Sequence, residues 1–313
     1  MVRLSHHMLP LALLVFAIGP RCANATATLP LIIAHRGGLA EAPENTLMAI
    51  RHAVASHADM IWLTVQLSAD GVPVLFHDDD LSATTDGHGA VASLPLAALQ
   101  TLDAGYRFKV MVAGKITTPD RGRGVTLPTL AEALQAIPDG IPVILDMKAL
   151  PAPRQAKAVA SVLDRLDAWP RVRIYSTSAT YQEAFAAYPK ARMFETRDAT
   201  RSRLLAAALA SRCLPPPASG QWAAFELSVP LTVTEHFTLG NGQSTTLAHL
   251  WTKAAMECFE SAGPVPIVGI GVNTAGDLAA AACLGMTAVL SNAPGRMVAL
   301  RDAMVAHPPQ CPP

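Results

Sequence analysis

A short apolar stretch that ends in charged and glycine residues, at 31–38, constrains the fold of this chain more than any other feature. Leu31 to Ala34 predict a buried strand, and the strand stops at His35, Arg36 and a glycine pair. In parallel α/β folds, functional groups collect at the carboxyl ends of the strands. A titratable ring and a permanent cation at such an end therefore predict a site on the rim of a parallel sheet.

Two further predicted strands end in the same kind of chemistry. The strand 72–76 ends in His77 and three aspartates, and the strand 142–145 ends in Asp146-Met147-Lys148. A lone histidine at a strand end is more often structural or exposed, but in a closed parallel barrel these three ends meet on one face. Two histidines suit acid and base catalysis, and an arginine and a lysine suit a phosphate. Together the residues favour phosphoryl chemistry.

Strands and helices alternate along the chain, which predicts a parallel sheet in one α/β domain. Nine segments are candidates for the eight strands of a TIM barrel, at 31–34, 60–67, 72–76, 142–145, 172–175, 191–194, 223–227, 265–270 and 287–290. The segment 223–227 is the weakest candidate, because residues 232–242 after it predict a small hairpin insertion. Residues 86–124 predict a loop with one helical piece near 94–102.

The first residues have the pattern of a signal peptide. Arg3 precedes an apolar run at 9–18, and Ala23-Asn24-Ala25 has the small-x-small form of a cleavage site. The run is shorter than the roughly 20 residues that span a bilayer. We therefore predict a leader at 1–25, a barrel at 29–305, a Pro-rich tail at 306–313, and an exported protein, periplasmic or secreted, without a stable membrane anchor.

Composition narrows the classes of function. With 24 basic and 24 acidic residues and no basic block, the chain does not have the charge of a nucleic-acid-binding protein. Four cysteines follow the leader, at 213, 258, 283 and 311, without zinc-ligand spacing. Export would permit a disulfide, but the spacing of the cysteines does not reveal which of them pair. Cys283 lies inside a predicted Ala-rich helix and is predicted to be a small core residue.

Several motifs occur in the order of a known family. The stretches HRGG, PENT, DGVPVLFHDDDL, TTDGHG, LDAG, LPTLAEAL and LDMK, between residues 31 and 148, resemble the glycerophosphodiester phosphodiesterase family, and GVNTAGDLAAAACLGMTAVLSNAP resembles its closing segment more weakly. The resemblance implies a TIM barrel and a phosphoric diester hydrolase of lipid and glycerol metabolism that releases glycerol 3-phosphate and an alcohol. It matches His35 and His77 to the acid/base pair, and Arg36 and Lys148 to the phosphate binders.

The resemblance also implies a divalent cation, Mg²⁺ or Ca²⁺, and here the chain departs from the family. On the second strand the family has Glu-x-Asp, whereas this chain has Trp62 and Thr64. Asp146 keeps a third ligand position, and Glu44 in PENT is a candidate second carboxylate. Asn292 stands in place of the closing aspartate, and Gly269-Ile270-Gly271 in place of a tryptophan motif.

Three interpretations remain open from the sequence. The chain is a phosphodiesterase whose histidines and cations suffice, with a changed or absent metal. Alternatively, it is a catalytically impaired relative that binds phosphodiesters or other phosphorylated ligands. The third is a relative of sphingomyelinase D-type phospholipases, which use an Asp-x-Lys pair but keep the second-strand carboxylates. The substrate class in each is a small-molecule phosphodiester, and the oligomeric state and the acid and base roles stay open.

Overall fold

The computed structural model describes residues 28–218 and 220–311. The predicted leader at 1–25 lies outside the described residues, as do the last two residues of the predicted tail. Among the residues that the structure describes, no helix is long and apolar enough to cross a membrane.

Twelve strands and nine α-helices are defined in the described ranges. The strands are β1 (Leu31–His35), β2 (Met60–Leu67), β3 (Pro73–Leu75), β4 (Val110–Val112), β5 (Lys115–Thr117), β6 (Val143–Met147), β7 (Val172–Tyr175), β8 (Ala223–Glu226), β9 (Val229–Phe237), β10 (Gly240–Ala248), β11 (Ile267–Ile270) and β12 (Ala288–Ser291). The helices are α1 (Leu47–Ala55), α2 (Leu96–Leu99), α3 (Leu130–Ala136), α4 (Ala152–Arg165), α5 (Thr180–Phe185), α6 (Arg197–Ala210), α7 (Lys253–Phe259), α8 (Ala275–Cys283) and α9 (Pro294–Ala306).

Seven strands form one parallel sheet in the order β7-β6-β2-β1-β12-β11-β8. The two outer strands of this order are joined through Met193, which bridges to Ile174 of β7, and Phe194, which bridges to Trp222 beside β8. Met193 and Phe194 thus take the place of the eighth strand, and their bridges close the barrel. The predicted TIM-type α/β fold is therefore confirmed, and the predicted strand 191–194 is reduced to this two-residue contact.

The burial of the strands follows from this closure. β2 and β6 are buried along nearly their whole length, as expected of parallel strands covered on both faces. Threonines start the helices α1, α3 and α8, because Thr46, Thr129 and Thr274 each accept a hydrogen bond from the backbone N–H three residues on. Each cap of this kind is worth about 1 kcal/mol.

The ranking of the nine strand candidates was wrong. β3 pairs antiparallel with β2 and does not belong to the barrel, whereas β8, the weakest candidate, is a barrel strand. The reason lies in the connections: the short turn at Asp70-Gly71 can join only antiparallel neighbours, since a parallel pair needs a crossover of a dozen residues or more.

Two antiparallel hairpins form sheets separate from the barrel. β9 and β10 pair over nine residues each and form the predicted insertion, with longer bounds than 232–242. The smaller hairpin of β4 and β5 lies inside the region predicted as a loop. Its strands have only three residues each, which is too short for a periodic signal in the sequence.

The four described cysteines form two disulfides, Cys213–Cys258 and Cys283–Cys311. The prediction that Cys283 is a core residue was wrong: α8 ends at Cys283, and the side chain is bonded to the segment after α9. The partner lies 28 residues away, and only the path of α9 back along α8 brings the two together.

Gly37 permits the sharp turn after β1. Its φ is +80°, and an added Cβ would lie 2.9 Å from the Cβ of Ala49 and 3.1 Å from the carbonyl carbon of Ala49. We expect Gly37→Ala to lower the free energy of unfolding by about 1–2 kcal/mol for the left-handed backbone, and by about 1–3 kcal/mol more for the clash.

Gly114→Ala is the matched control for this measurement by urea unfolding. Gly114 has a φ of +78° but no atom within 4 Å of an added Cβ. It therefore carries the backbone cost without the clash. Equal losses in the two variants would contradict the role given to the contact with Ala49.

Candidate active site

His35 stands at the end of β1 and is held by the neighbouring strand. Its Nδ1 lies 2.7 Å from the side-chain oxygen of Asn292, which follows β12. Because an amide oxygen only accepts, Nδ1 carries the proton and Nε2 is left with a lone pair. The side chain of Asn273 accepts hydrogen bonds from the backbone N–H of Asn292 at 2.8 Å and from Ser291 Oγ at 3.2 Å. This chain of contacts sets the orientation of the His35 ring.

Burial and the surrounding positive charges disfavour protonation of His35. Burial, together with the charges of Arg36, His77 and Lys148, lowers the pKa of His35 to about 4, although the hydrogen bond of Asn292 opposes this. A charge acts on a pKa strongly only at short range. Arg36, His77 and Lys148 therefore lie close enough to His35 for their charges to act on its ring, but His77 comes from the antiparallel strand β3 and not, as predicted, from the end of a barrel strand.

His77 follows β3 and is more accessible than His35. Its Nδ1 lies 3.2 Å from Oδ1 of Asp78. Burial lowers the pKa of His77, and the charge of Arg36 adds to this, whereas the hydrogen bond and the charge of Asp78 raise it. The two histidines therefore differ: one has a neutral partner and the other a carboxylate.

Arg36 is turned back toward the PENT segment by a left-handed backbone with a φ of 54°. Its Nη1 donates to both carboxylate oxygens of Glu44, at 2.8 and 3.0 Å, while Nε is buried without a partner. Burial raises the pKa of Glu44, against the charge of Arg36. Glu44 therefore orients the guanidinium, which keeps a free donor.

Lys148 and Asp146 form a second pair, with 3.3 Å between Nζ and Oδ2. Burial raises the pKa of Asp146 to about 6, against the charge of Lys148. The indole of Trp62 also lowers that pKa through its N–H, although neither Trp62 Nε1 nor Asp146 Oδ1 completes a hydrogen bond. Asp146, which stands at the third metal-ligand position of the family, thus faces a lysine and an indole.

Trp62 and Thr64 point into the barrel, as the alternation along β2 predicts. Trp62 is 2% exposed, and its ring centroid lies 4.7 Å from that of Tyr175 and 6.1 Å from that of Phe194. Thr64 is fully buried and lies opposite Asp146 in the register of β2 and β6. The interior beneath the two histidines is therefore packed with aromatic rings.

The residues present do not fit the divalent cation that the resemblance implies. Mg²⁺ and Ca²⁺ are held by several oxygen ligands, chiefly carboxylates, but Trp62 offers none and Thr64 a single neutral hydroxyl. In the described part of the chain, no three His, Cys, Asp or Glu side chains are placed to hold a metal. The predicted ligands Glu44 and Asp146 are each paired with a cation of the protein instead.

Several polar groups of the site were not predicted from the sequence as functional. Asn45, inside PENT, accepts a hydrogen bond from the backbone N–H of Thr64 at 3.0 Å. On the other side, Arg197 donates to both oxygens of Glu226 at 2.7 Å and lies 3.5 Å from the hydroxyl of Tyr175. Tyr175 ends the predicted strand 172–175 and Glu226 is the next-to-last residue of the predicted strand 223–227, which was the available signal.

A cavity of about 210 Å³ adjoins Glu44. Its lining combines apolar residues such as Leu39 and Phe108 with the basic Arg107 and Lys109, which precede the hairpin of β4 and β5. The cavity therefore adjoins the site through Glu44, the residue that binds Arg36.

Comparison with known proteins gives matches along most of the chain. A family profile described as "Glycerophosphoryl diester phosphodiesterase family" matches residues 35–237. An uncharacterized protein of Mycobacterium tuberculosis is 42% identical over 287 residues, which cover 90% of this chain and 95% of the relative. A glycerophosphodiester phosphodiesterase of Caldanaerobacter subterraneus is 39% identical over 109 residues, 35% of this chain and 41% of the relative.

Solved structures agree with the fold. The crystal structure of the glycerophosphoryl diester phosphodiesterase domain of an uncharacterized M. tuberculosis protein has a TM-score of 0.79 and 41% identity, and the match covers 88% of this chain and all of that one. An Oleispira antarctica phosphodiesterase, solved with the product sn-glycerol-3-phosphate, has a TM-score of 0.65 at 23% identity, covering 88% and 97%. The second likeness is one of fold.

Proposed function

Because the chain belongs to the glycerophosphoryl diester phosphodiesterase family, whose members are phosphoric diester hydrolases, we propose that it hydrolyses glycerophosphodiesters to glycerol 3-phosphate and an alcohol. The observation that supports this most directly is the cluster of His35 and Arg36 after β1, Lys148 after β6, and His77, which reaches the same rim from the antiparallel strand β3. The cluster combines two proton-transfer groups with two cations, which is what a phosphodiester needs.

In the proposed reaction, Arg36 and Lys148 bind the non-bridging oxygens of the diester and stabilise the charge that develops on them. Water attacks phosphorus, and Nε2 of His35 takes its proton while a new P–O bond forms. His77 gives a proton to the alcohol oxygen as the P–O bond to the alcohol breaks. We assign the base to His35 because its Nε2 lone pair is free, and the acid to His77 because Asp78 favours its protonated form.

The experiment is hydrolysis of glycerophosphocholine by the purified protein, followed by detection of glycerol 3-phosphate. We expect turnover that depends on the histidines. The neutral Trp62 and Thr64 favour a second candidate, a protein that binds phosphodiesters without cleaving them. Measurable binding of glycerol 3-phosphate together with no release of choline would establish that candidate and refute the hydrolase.

The pKa directions predict an acidic optimum for kcat/KM. Activity should rise as His35 loses its proton, near pH 4, and fall as His77 loses its proton, below its ordinary value of about 6.5. A pH–rate profile measures both limbs. Activity that keeps rising through neutral pH would contradict the assignment of the acid to His77.

Asn292→Asp provides the control for the low-pH limb. A carboxylate beside Nδ1 favours the protonated ring and typically raises such a pKa by about 1–3 units. The ascending limb should therefore move to higher pH, while the limb of His77 stays in place. An unchanged ascending limb would mean that another group is the base.

We also propose that the protein is exported, to the periplasm or the medium, after cleavage of residues 1–25, with 29–305 as the barrel. The signal-peptide pattern and the two disulfides support this, because disulfides persist in oxidising compartments. Fusion of residues 1–27 to a reporter that is active only after export tests the leader. A reporter that stays inside the cell would refute it.

A further inference from the structure

We propose that the phosphodiester site holds no divalent cation and that Arg36 and Lys148 supply the positive charge for the diester in its place. The inference rests on the proposed function for its substrate. The question is which positive charges neutralise the phosphoryl oxygens. Three observations support the inference: the packing of Trp62, the pairing of Glu44 and Asp146 with basic side chains, and the kind of buried polar atoms that have no hydrogen-bond partner.

Trp62 takes up the interior position at which a ligand carboxylate is expected. Its indole is 2% exposed and packs against the rings of Tyr175 and Phe194. An indole N–H donates and has no lone pair to offer a metal. A cation with its usual six or more oxygen ligands would have to displace a side chain that is part of the barrel core.

Glu44 and Asp146, the two predicted ligands, are already bound to cations of the protein. Both oxygens of Glu44 accept from Arg36 Nη1, and Asp146 Oδ2 lies 3.3 Å from Lys148 Nζ. A metal could take either carboxylate only by separating it from its basic partner. Cation binding would thus release the two side chains that are placed to hold the phosphate.

The buried polar atoms without a protein partner are mostly donors. In the described ranges they are three N–H groups, of Arg36 Nε, Asn45 Nδ2 and Trp62 Nε1, and two oxygens, of Thr64 and Asp146. Because the Trp62 N–H acts on Asp146, the donors left for a ligand are Arg36 Nε and Asn45 Nδ2, and N–H groups bind an anion rather than a cation. The exchange of two carboxylates for Trp62 and Thr64 also removes two negative charges. This change is equal in magnitude to the positive charge of the divalent ion that such a pair would hold.

The first test compares the wild-type protein in EDTA, in Mg²⁺ and in Ca²⁺. We expect rates of glycerophosphocholine hydrolysis within about twofold of each other, and no heat of binding for either ion up to about 1 mM, the weak end of calcium sites in proteins. A rate that EDTA abolishes and an added ion restores would overturn the inference while leaving the hydrolase intact.

Binding of glycerol 3-phosphate gives a readout that does not need turnover. We expect the same Kd in EDTA and in Ca²⁺, and a loss of affinity in Lys148→Met under both conditions. If no condition gives hydrolysis, the proposed function fails, and the inference is still decided here: tighter binding in Ca²⁺ refutes it and an unchanged Kd supports it.

Restoring the charges should create a metal site. We expect Trp62→Glu with Thr64→Asp to bind Ca²⁺ by calorimetry, whereas the neutral control Trp62→Gln with Thr64→Asn should not. Circular dichroism checks that both double variants fold, and the single Thr64→Asp is the fallback if they do not. Calcium binding by the neutral control or by the wild type would overturn the inference.

Discussion

Replacement of His35 or His77 by alanine is expected to lower kcat for glycerophosphocholine by about 10²–10⁴-fold, the usual contribution of a positioned acid or base. Each ring is the sole proton-transfer group that the geometry assigns to its step. His35 is held by Asn292 with Nε2 free, and His77 is paired with Asp78 on the accessible side. KM should change less than kcat, because Arg36 and Lys148 continue to bind the phosphate.

His236→Ala is the matched control for these variants. His236 also has a ring nitrogen bonded to a side-chain amide oxygen, Asn241 Oδ1 at 2.8 Å, but it lies exposed on β9. We expect its kcat to equal that of the wild type. Activity that survives both His35→Ala and His77→Ala would remove these residues from the mechanism.

Truncation of Phe194 is expected to have the largest effect on stability, with a loss of about 3–5 kcal/mol in the free energy of unfolding. Phe194 is 1% exposed and packs its ring against Trp62, Tyr175 and Trp222, with centroids 5.6 to 6.1 Å apart. Its backbone also occupies the eighth position of the barrel. Alanine there would leave a cavity in the interior at the point where the sheet closes.

Phe237→Ala is the corresponding surface variant, measured by the same denaturant titration. The ring of Phe237 is 62% exposed at the end of β9. We expect a change within about 0.5 kcal/mol, as is usual for surface substitutions. Similar losses for the two phenylalanines would show that the interior of the barrel tolerates the cavity.

The strand ends could be predicted from the sequence because each is a local pattern. The predicted bounds of β2 and β7 equal the observed ones, and the chemistry at the ends of β1 and β6 lies where the sequence places it. Local pattern was insufficient for β3, since a run of apolar residues does not distinguish a parallel neighbour from an antiparallel one. The preceding turn did carry that information.

The pairings inside the site were not accessible in the same way. His35 and Asn292 are 257 residues apart, and their contact exists only because β1 and β12 are neighbours in the closed barrel. The sequence identified Asn292 as a departure from the family but not as the partner of His35. Likewise, composition left the cysteine pairing open, because the path of the chain, and not spacing, sets which sulfurs meet.

The bond between Cys283 and Cys311 also has a mechanical consequence. Both β12 and α9 lie between these two cysteines, and α9 packs against β1, where Arg301 pairs with Asp59. A force applied beyond Cys311 is therefore carried straight to the end of α8 and bypasses α9. In the oxidised protein the last helix cannot be peeled from the strand that carries His35 by tension on the C-terminal end, whereas reduction would expose it to that load.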